Sequence, residues 1–138
     1  MIDALAAFPE RLASEARVAT GREVPAGEWT PEEVVRHLIA VEIEVHQARL
    51  ADLATEPDPR WTWTEPGPWT GEPDLGLDGV LERFSATRAT TLATLDSLDE
   101  AGWARVGHHE TFGELDVAGL VRNAVDHDAE HLSGLLDG

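Results

Sequence analysis

At 138 residues the chain has room for one domain of ordinary size, and it is long enough to bury a core without cross-links. It contains no cysteine, which excludes a disulfide scaffold, a thiolate metal site, an iron–sulfur cluster and a protein thiol nucleophile. Ten basic residues against 27 acidic ones give a net charge of -17, so phosphate backbones and anionic membranes are repelled and neither nucleic acid nor membrane is an expected partner.

No apolar run is long enough to span a bilayer, and the opening residues carry Asp3 and no basic stretch, unlike a signal peptide. A cytoplasmic protein with a single domain over 1–138 is expected. Apolar residues first recur at helical spacing from Ile2 to Ala19, with Leu5, Phe8, Leu12 and Ala16 on one stripe. Pro9 lies inside this stretch and predicts a separate or kinked first turn. Gly21, Pro25 and Gly27 mark a loop over 20–29. Thr30-Pro31-Glu32-Glu33 then combines a capping box with proline at the first helical position. Val34, Leu38, Val41, Val45 and Ala48 carry this second helix to about Ala54, ahead of Pro57 and Pro59.

Residues 55–76 hold five prolines and three tryptophans, Trp61, Trp63 and Trp69. Connections this long are uncommon in compact domains and are often functional. Trp61-Thr62-Trp63 suits a short extended piece. The third helix is predicted from about Gly79 to Ser97, capped by Asp78, with Leu81, Phe84, Arg88, Thr91, Leu95 and Leu98 facing inward. A loop through Gly102, Trp103, Gly107 and Gly113 leads to Asp116, a good cap for a fourth helix reaching about Leu136. Its inner stripe is Leu120, Ala124, His127, His131 and Leu135. Four amphipathic helices without convincing strand alternation predict an all-α four-helix bundle. Loop lengths alone leave the direction of the third helix open.

Six histidines are present, and helical geometry sorts them. His127 and His131 lie about 40° apart on one inward face, a spacing that lets two imidazoles share one ion. His37 shares an inward face with Val41, Glu44 and Ala48. His46 follows nine residues later, about 180° around, and is expected at the surface or an interface. A lone inward histidine is more often a hydrogen-bonded core residue than a ligand, and spacing does not join His37 to the pair. Three converging imidazoles would leave positions open for water or substrate, the catalytic rather than the structural pattern. Glu130 stands closest to the His face and is a candidate orienting group or base, with Asp126 and Asp128 beside it on what reads equally well as a solvated helix edge. Glu44 is a candidate base or fourth ligand. His127-Asp128-Ala129-Glu130-His131 also matches a peptidase H-x-x-E-H motif, but such peptidases need a further glutamate well downstream, and only seven residues follow His131.

Trp29-Thr30-Pro31-Glu32-Glu33-Val34-Val35-Arg36-His37-Leu38 with Glu42, then Gly113-Glu114-Leu115-Asp116-Val117, His127-Asp128 and His131-Leu132, together resemble the DinB/YfiT-like family of four-helix bundles. The segment Trp103–His108 resembles the stretch ahead of that family's last helix. The resemblance covers nearly the whole chain. It implies up-down-down-up topology, a homodimer, and a divalent ion held by His37, His127 and His131. Zinc is the first choice, with nickel or another transition metal as alternatives. It also implies a thiol S-transferase or a hydrolase acting on an electrophilic small molecule, with a metal- or ligand-binding protein of the same fold as the non-catalytic alternative. With no cysteine in the chain, a thiol would have to arrive as a low-molecular-weight cosubstrate. Trp61, Trp63 and Trp69 are candidate pocket walls and Arg60 a candidate partner for an anionic substrate; loop anchoring is the plainer role for the tryptophans.

Overall fold

The computed structural model describes residues 2–137. Helix α1 (Ile2–Ala19) is followed by α2 (Pro31–Val41), a π-helical segment (Glu42–Gln47) and α3 (Ala48–Thr55), which form one rod. Strand β1 (Arg60–Trp61) lies in the long connection, ahead of α4 (Leu77–Ser97) and the single turn α5 (Glu100–Trp103). Strands β2 (Val106–His109) and β3 (Gly113–Asp116) then lead into α6 (Val117–Asp137).

The four-helix bundle is present with the helix ends close to those expected. The capping box at the start of α2 is complete: the Glu33 amide donates to the Thr30 hydroxyl and the Thr30 amide to the Glu33 carboxylate. Asp116 caps α6 by accepting from the Gly119 amide at 2.8 Å. Helix α4 differs, because it starts at Leu77 behind Gly76, which offers no side-chain cap. Asp78 lies in its first turn instead, where it pairs with Arg17.

Pro9 does not detach the first turn, since α1 runs unbroken through it. A proline has no N–H, so the carbonyl four residues earlier is left without its helical donor. That carbonyl belongs to Leu5, and it accepts from Arg88 Nη1 at 2.9 Å. The sequence feature that looked like a break is thus an attachment point for another helix.

Side-chain pairings along the rods give the topology. Arg17 near the end of α1 meets Asp78 at the start of α4, while Leu5 meets Arg88, so these two helices run antiparallel. Glu42 pairs with Arg88 and Gln47 with Thr91, so the α2–α3 rod and α4 run parallel. Arg22, just beyond α1, donates to Leu135 near the end of α6, which places α6 alongside α1 in the same direction. The order is up-down-down-up. The long connection makes the parallel pair feasible by travelling back along α2. It is clamped there by Arg36, which donates to the carbonyls of Trp69, Gly71, Glu72 and Leu75. This cover explains why seven consecutive residues of α2, Val35 to Val41, are all buried.

The chain also contains a small three-stranded sheet where a plain loop was expected. β2 pairs antiparallel with β3, and β1 adds in parallel on the far side of β2. Strands of two and four residues are too short to display alternation, and the β1–β2 partners are 48 residues apart in the chain. Gly113 has φ +76° at the hairpin turn, a conformation that glycine reaches without strain. Gly107 is needed for another reason, because a Cβ there would run into the Trp61 ring.

Two apolar clusters fill the bundle. One gathers Phe8, Leu12, Leu38, Phe84, Leu132 and Leu135; the other gathers Leu5, Leu50, Leu53, Leu95, Leu115, Val117 and Leu120. Along α4, Arg88 lies between Phe84 of the first and Leu95 of the second. Its guanidinium is 1 % exposed and uses all five donors. Two go to Glu42 at 3.0 Å, two to Asp128 at 2.9 Å and one to Leu5. Asp128, read from sequence as part of a solvated helix edge, is therefore buried and paired. One arginine thus joins α1, the π segment, α4 and α6. Burial, helped by the Glu42 charge, pushes the Asp128 carboxyl up to about 6 despite the pull of Arg88.

Candidate metal centre

His127 and His131 follow each other by one turn of α6, and their Nε2 atoms are 3.2 Å apart. His37, 0 % exposed on α2, faces them with ring centroids at 5.5 and 4.7 Å. One nitrogen from each ring lies within 4.8 Å of the other two. The His37 Nδ1 is 2.7 Å from the Pro66 carbonyl. A carbonyl only accepts, so the proton sits on Nδ1 and the Nε2 lone pair is free. That Nε2 is buried and has no partner. From outside, the Trp29 ring covers His37 at 4.7 Å.

These features fit a metal site. Two nitrogens at about 2.0–2.1 Å from one ion, subtending about 90–110°, stand roughly 2.8–3.4 Å apart. The His127–His131 separation falls in that range. The carbonyl bond that fixes the His37 ring is the usual outer partner of a metal-binding imidazole.

His46 corrects the sequence expectation. It is half-buried and edge-on to His127, with ring centroids 6.1 Å apart, rather than at the surface. Nine regular helical steps would have carried it to the side opposite His37. The π segment spends one extra residue on its turn, which sets everything downstream back by about 100°. His46 nevertheless lies outside the three-nitrogen set.

Beside the cluster is a cavity of about 220 Å³. Val41, Val45, Trp63 and Phe112 give it an apolar wall, and Glu65, Asp126, Glu130 and Arg49 supply charge. His127 and His131 form part of its lining. Of the four residues proposed from the long connection, Trp63 alone lines it. Trp61 is buried in the second apolar cluster and its Nε1 donates to Asp52. Trp69 packs on the first cluster under the Arg36 guanidinium. Arg60 points to solvent and pairs with Asp58. Glu44 is exposed in the π segment and does not line the cavity. Glu130 does line it but is exposed and hydrogen-bonds to neither imidazole. Sequence reasoning missed His109, Asn123, Phe112 and Arg49, all of which line the cavity. A hairpin signal around Thr111-Phe112-Gly113 was the available cue for the first and third.

Burial sets the protonation of these rings. It lowers the His46 pKa to about 4 and, joined by the neighbouring imidazoles, His131 foremost, and by the Arg88 charge, the His127 pKa to about 3. His131 and His109 are lowered too, again mainly by burial. An imidazole whose folded pKa lies below its unfolded value takes up a proton on unfolding, so it costs stability as pH falls below about 6.5. These four histidines act in that direction, and Asp128, raised to about 6, acts in the other. The urea midpoint of the metal-free protein should therefore fall between about pH 7 and pH 5. A flat or rising midpoint would contradict the buried neutral histidines.

No helix among the described residues is long and apolar enough to cross a membrane. No curated protein matches the chain. Among solved structures it is similar to YfiT from Bacillus subtilis, described as a probable metal-dependent hydrolase with an unusual four-helix bundle topology. The TM-score is 0.74 at 18% identity, over 99% of this chain and 82% of that one, which establishes a shared fold. The family model of the DinB superfamily matches residues 3–134, nearly the whole length that the helices and the imidazole cluster occupy. The chain belongs to the DinB superfamily.

Proposed function

We propose that His37, His127 and His131 hold one divalent ion and that the protein is a metal-dependent hydrolase of an electrophilic small molecule bound in the adjoining cavity. The observation that carries this reading is the free, buried His37 lone pair facing two imidazole nitrogens already at ligand-to-ligand distance. A bound ion would supply Lewis acidity and would lower the pKa of a water or thiol at an open position. The chain's own part is to fix the three rings, through the Pro66 carbonyl and the helical spacing, and to provide an apolar wall that shelters the substrate. An all-imidazole set suits zinc, nickel, copper and iron, with zinc the first choice and nickel next. A homodimer is part of the same reading.

Thiol transfer is the second reading. It makes a similar demand on the ion and, because the chain has no cysteine, it requires a thiol cosubstrate. Protein loaded with zinc or nickel should cleave simple activated esters or lactones, and a chelator should lower the rate by about 100-fold or more. Turnover that depends on added glutathione or cysteine would select thiol transfer. Silence under both conditions, with metal bound, would overturn catalysis in favour of metal or ligand binding.

A further inference from the structure

His109 closes β2 and lines the same cavity as His127 and His131. Its Nδ1 accepts from the backbone amides of Thr111 at 2.9 Å and Phe112 at 3.3 Å. A ring nitrogen that accepts two N–H donors carries no proton, so the neutral ring bears its hydrogen on Nε2. That Nε2–H is buried and has no partner, in a residue only 3 % exposed. The ring is held in place by Phe112 at 4.7 Å and Trp63 at 6.5 Å. Buried donors are almost always satisfied, so an orphan of this kind on a cavity wall signals a missing acceptor. A second orphan lines the same cavity: the Asn123 side-chain nitrogen, also buried and without a partner, one helical turn before His127.

The surroundings restrict what that acceptor is. Glu65, Asp126 and Glu130 contribute three carboxylates to the lining against the single cation of Arg49. With the two charges of a divalent ion added the lining is balanced rather than cationic, so an anionic group gains no net attraction there, while an uncharged oxygen enters at a lower desolvation cost. We propose that His109 Nε2–H, seconded by the Asn123 amide, binds an uncharged carbonyl-type oxygen of the substrate, as in an amide or ester, and positions it beside the three-histidine cluster. This rests on the metal-site reading above. Burial keeps the His109 ring from protonating at neutral pH, so it acts as a neutral donor that polarises the oxygen without adding a charge.

The test uses the full chain loaded with Co2+, whose visible spectrum reports metal uptake, and benzamide, an uncharged carbonyl probe with an aromatic ring for the apolar wall, its affinity read by titration calorimetry. His109→Phe keeps a ring and removes the donor. His109→Gln returns an N–H close to the Nε2 position. Both variants should take up Co2+ as the wild type does. His109→Phe should weaken the probe about tenfold or more, and His109→Gln should stay within about threefold of wild type. Equal probe affinity in wild type and His109→Phe would overturn the proposal. So would equal losses in the two variants, which would mean a structural role for the hairpin, or a Co2+-loaded wild type blind to the probe. If His109→Phe does not fold, Asn123→Leu decides: a loss of about threefold or more supports the proposal and none overturns it. A wild type that takes up no Co2+ would instead overturn the three-histidine reading, and this one with it.

Discussion

Replacing Arg88 with methionine should cost about 3–5 kcal/mol of folding stability, because it strands two buried carboxylates without a counter-charge. Arg88, Glu42 and Asp128 are all nearly inaccessible, and no water can replace the five donors that the guanidinium supplies. The loss is a large share of the roughly 5–15 kcal/mol available to a domain of this kind, so the variant should be partly unfolded near physiological temperature. Urea or thermal melts followed by circular dichroism measure it. Acid should narrow the gap to wild type, since a protonated Asp128 no longer needs the arginine. The matched triple variant, Arg88→Met with Glu42→Leu and Asp128→Leu, should recover most of the loss, because apolar replacement of a whole buried ion network is often neutral or stabilising. A loss below about 1 kcal/mol for Arg88→Met would show that the network is peripheral to stability.

Removing His37 should have the largest effect on metal retention. Its ring is the one fixed by a carbonyl bond and wholly buried, so it contributes a donor that needs no reorganisation. Loss of an outer partner of a metal-binding histidine typically weakens affinity 10–100-fold. Deleting the ligand itself should exceed about 100-fold, read as metal content after desalting and as a binding constant by competition with a chelator. His46→Ala is the informative control, because its ring is near His127 but outside the three-nitrogen set. It should leave metal content unchanged. Equal metal content in His37→Ala and wild type would remove His37 from the site.

Local signals were readable and distant ones were not. The Thr30 capping box, the Asp116 cap and the His127/His131 pair all involve partners three or four residues apart, and each stands as the residues foretold. His37 could be joined to that pair only through the family resemblance, since 90 residues separate it from His127. The inward place of Arg88 followed from helical period, but its partners, 46 and 40 residues away, did not. The tryptophans separated for a reason of the same kind. Trp61 is the last residue of β1 and is locked under Gly107, whereas Trp63 lies beyond the strand and is free to reach the cavity. The π segment was the most hidden feature. Glu42–Gln47 contains no glycine or proline, and nothing in its composition distinguishes it from ordinary helix.

That segment gives the rod two angular settings. In a regular helix, the direction in which one residue faces dictates that of every other, so repacking one end turns the whole cylinder. Here the half before Glu42 aims His37 at the imidazoles of α6, and the half after Gln47 aims Leu50 and Leu53 into the second apolar cluster and Arg49 at the cavity. The π turn is the phase offset between the halves, in the manner of a keyed coupling between two shafts. The lip of the cavity at Arg49 and the aim of His37 therefore stand a fixed angle apart that a regular helix over the same residues would not provide.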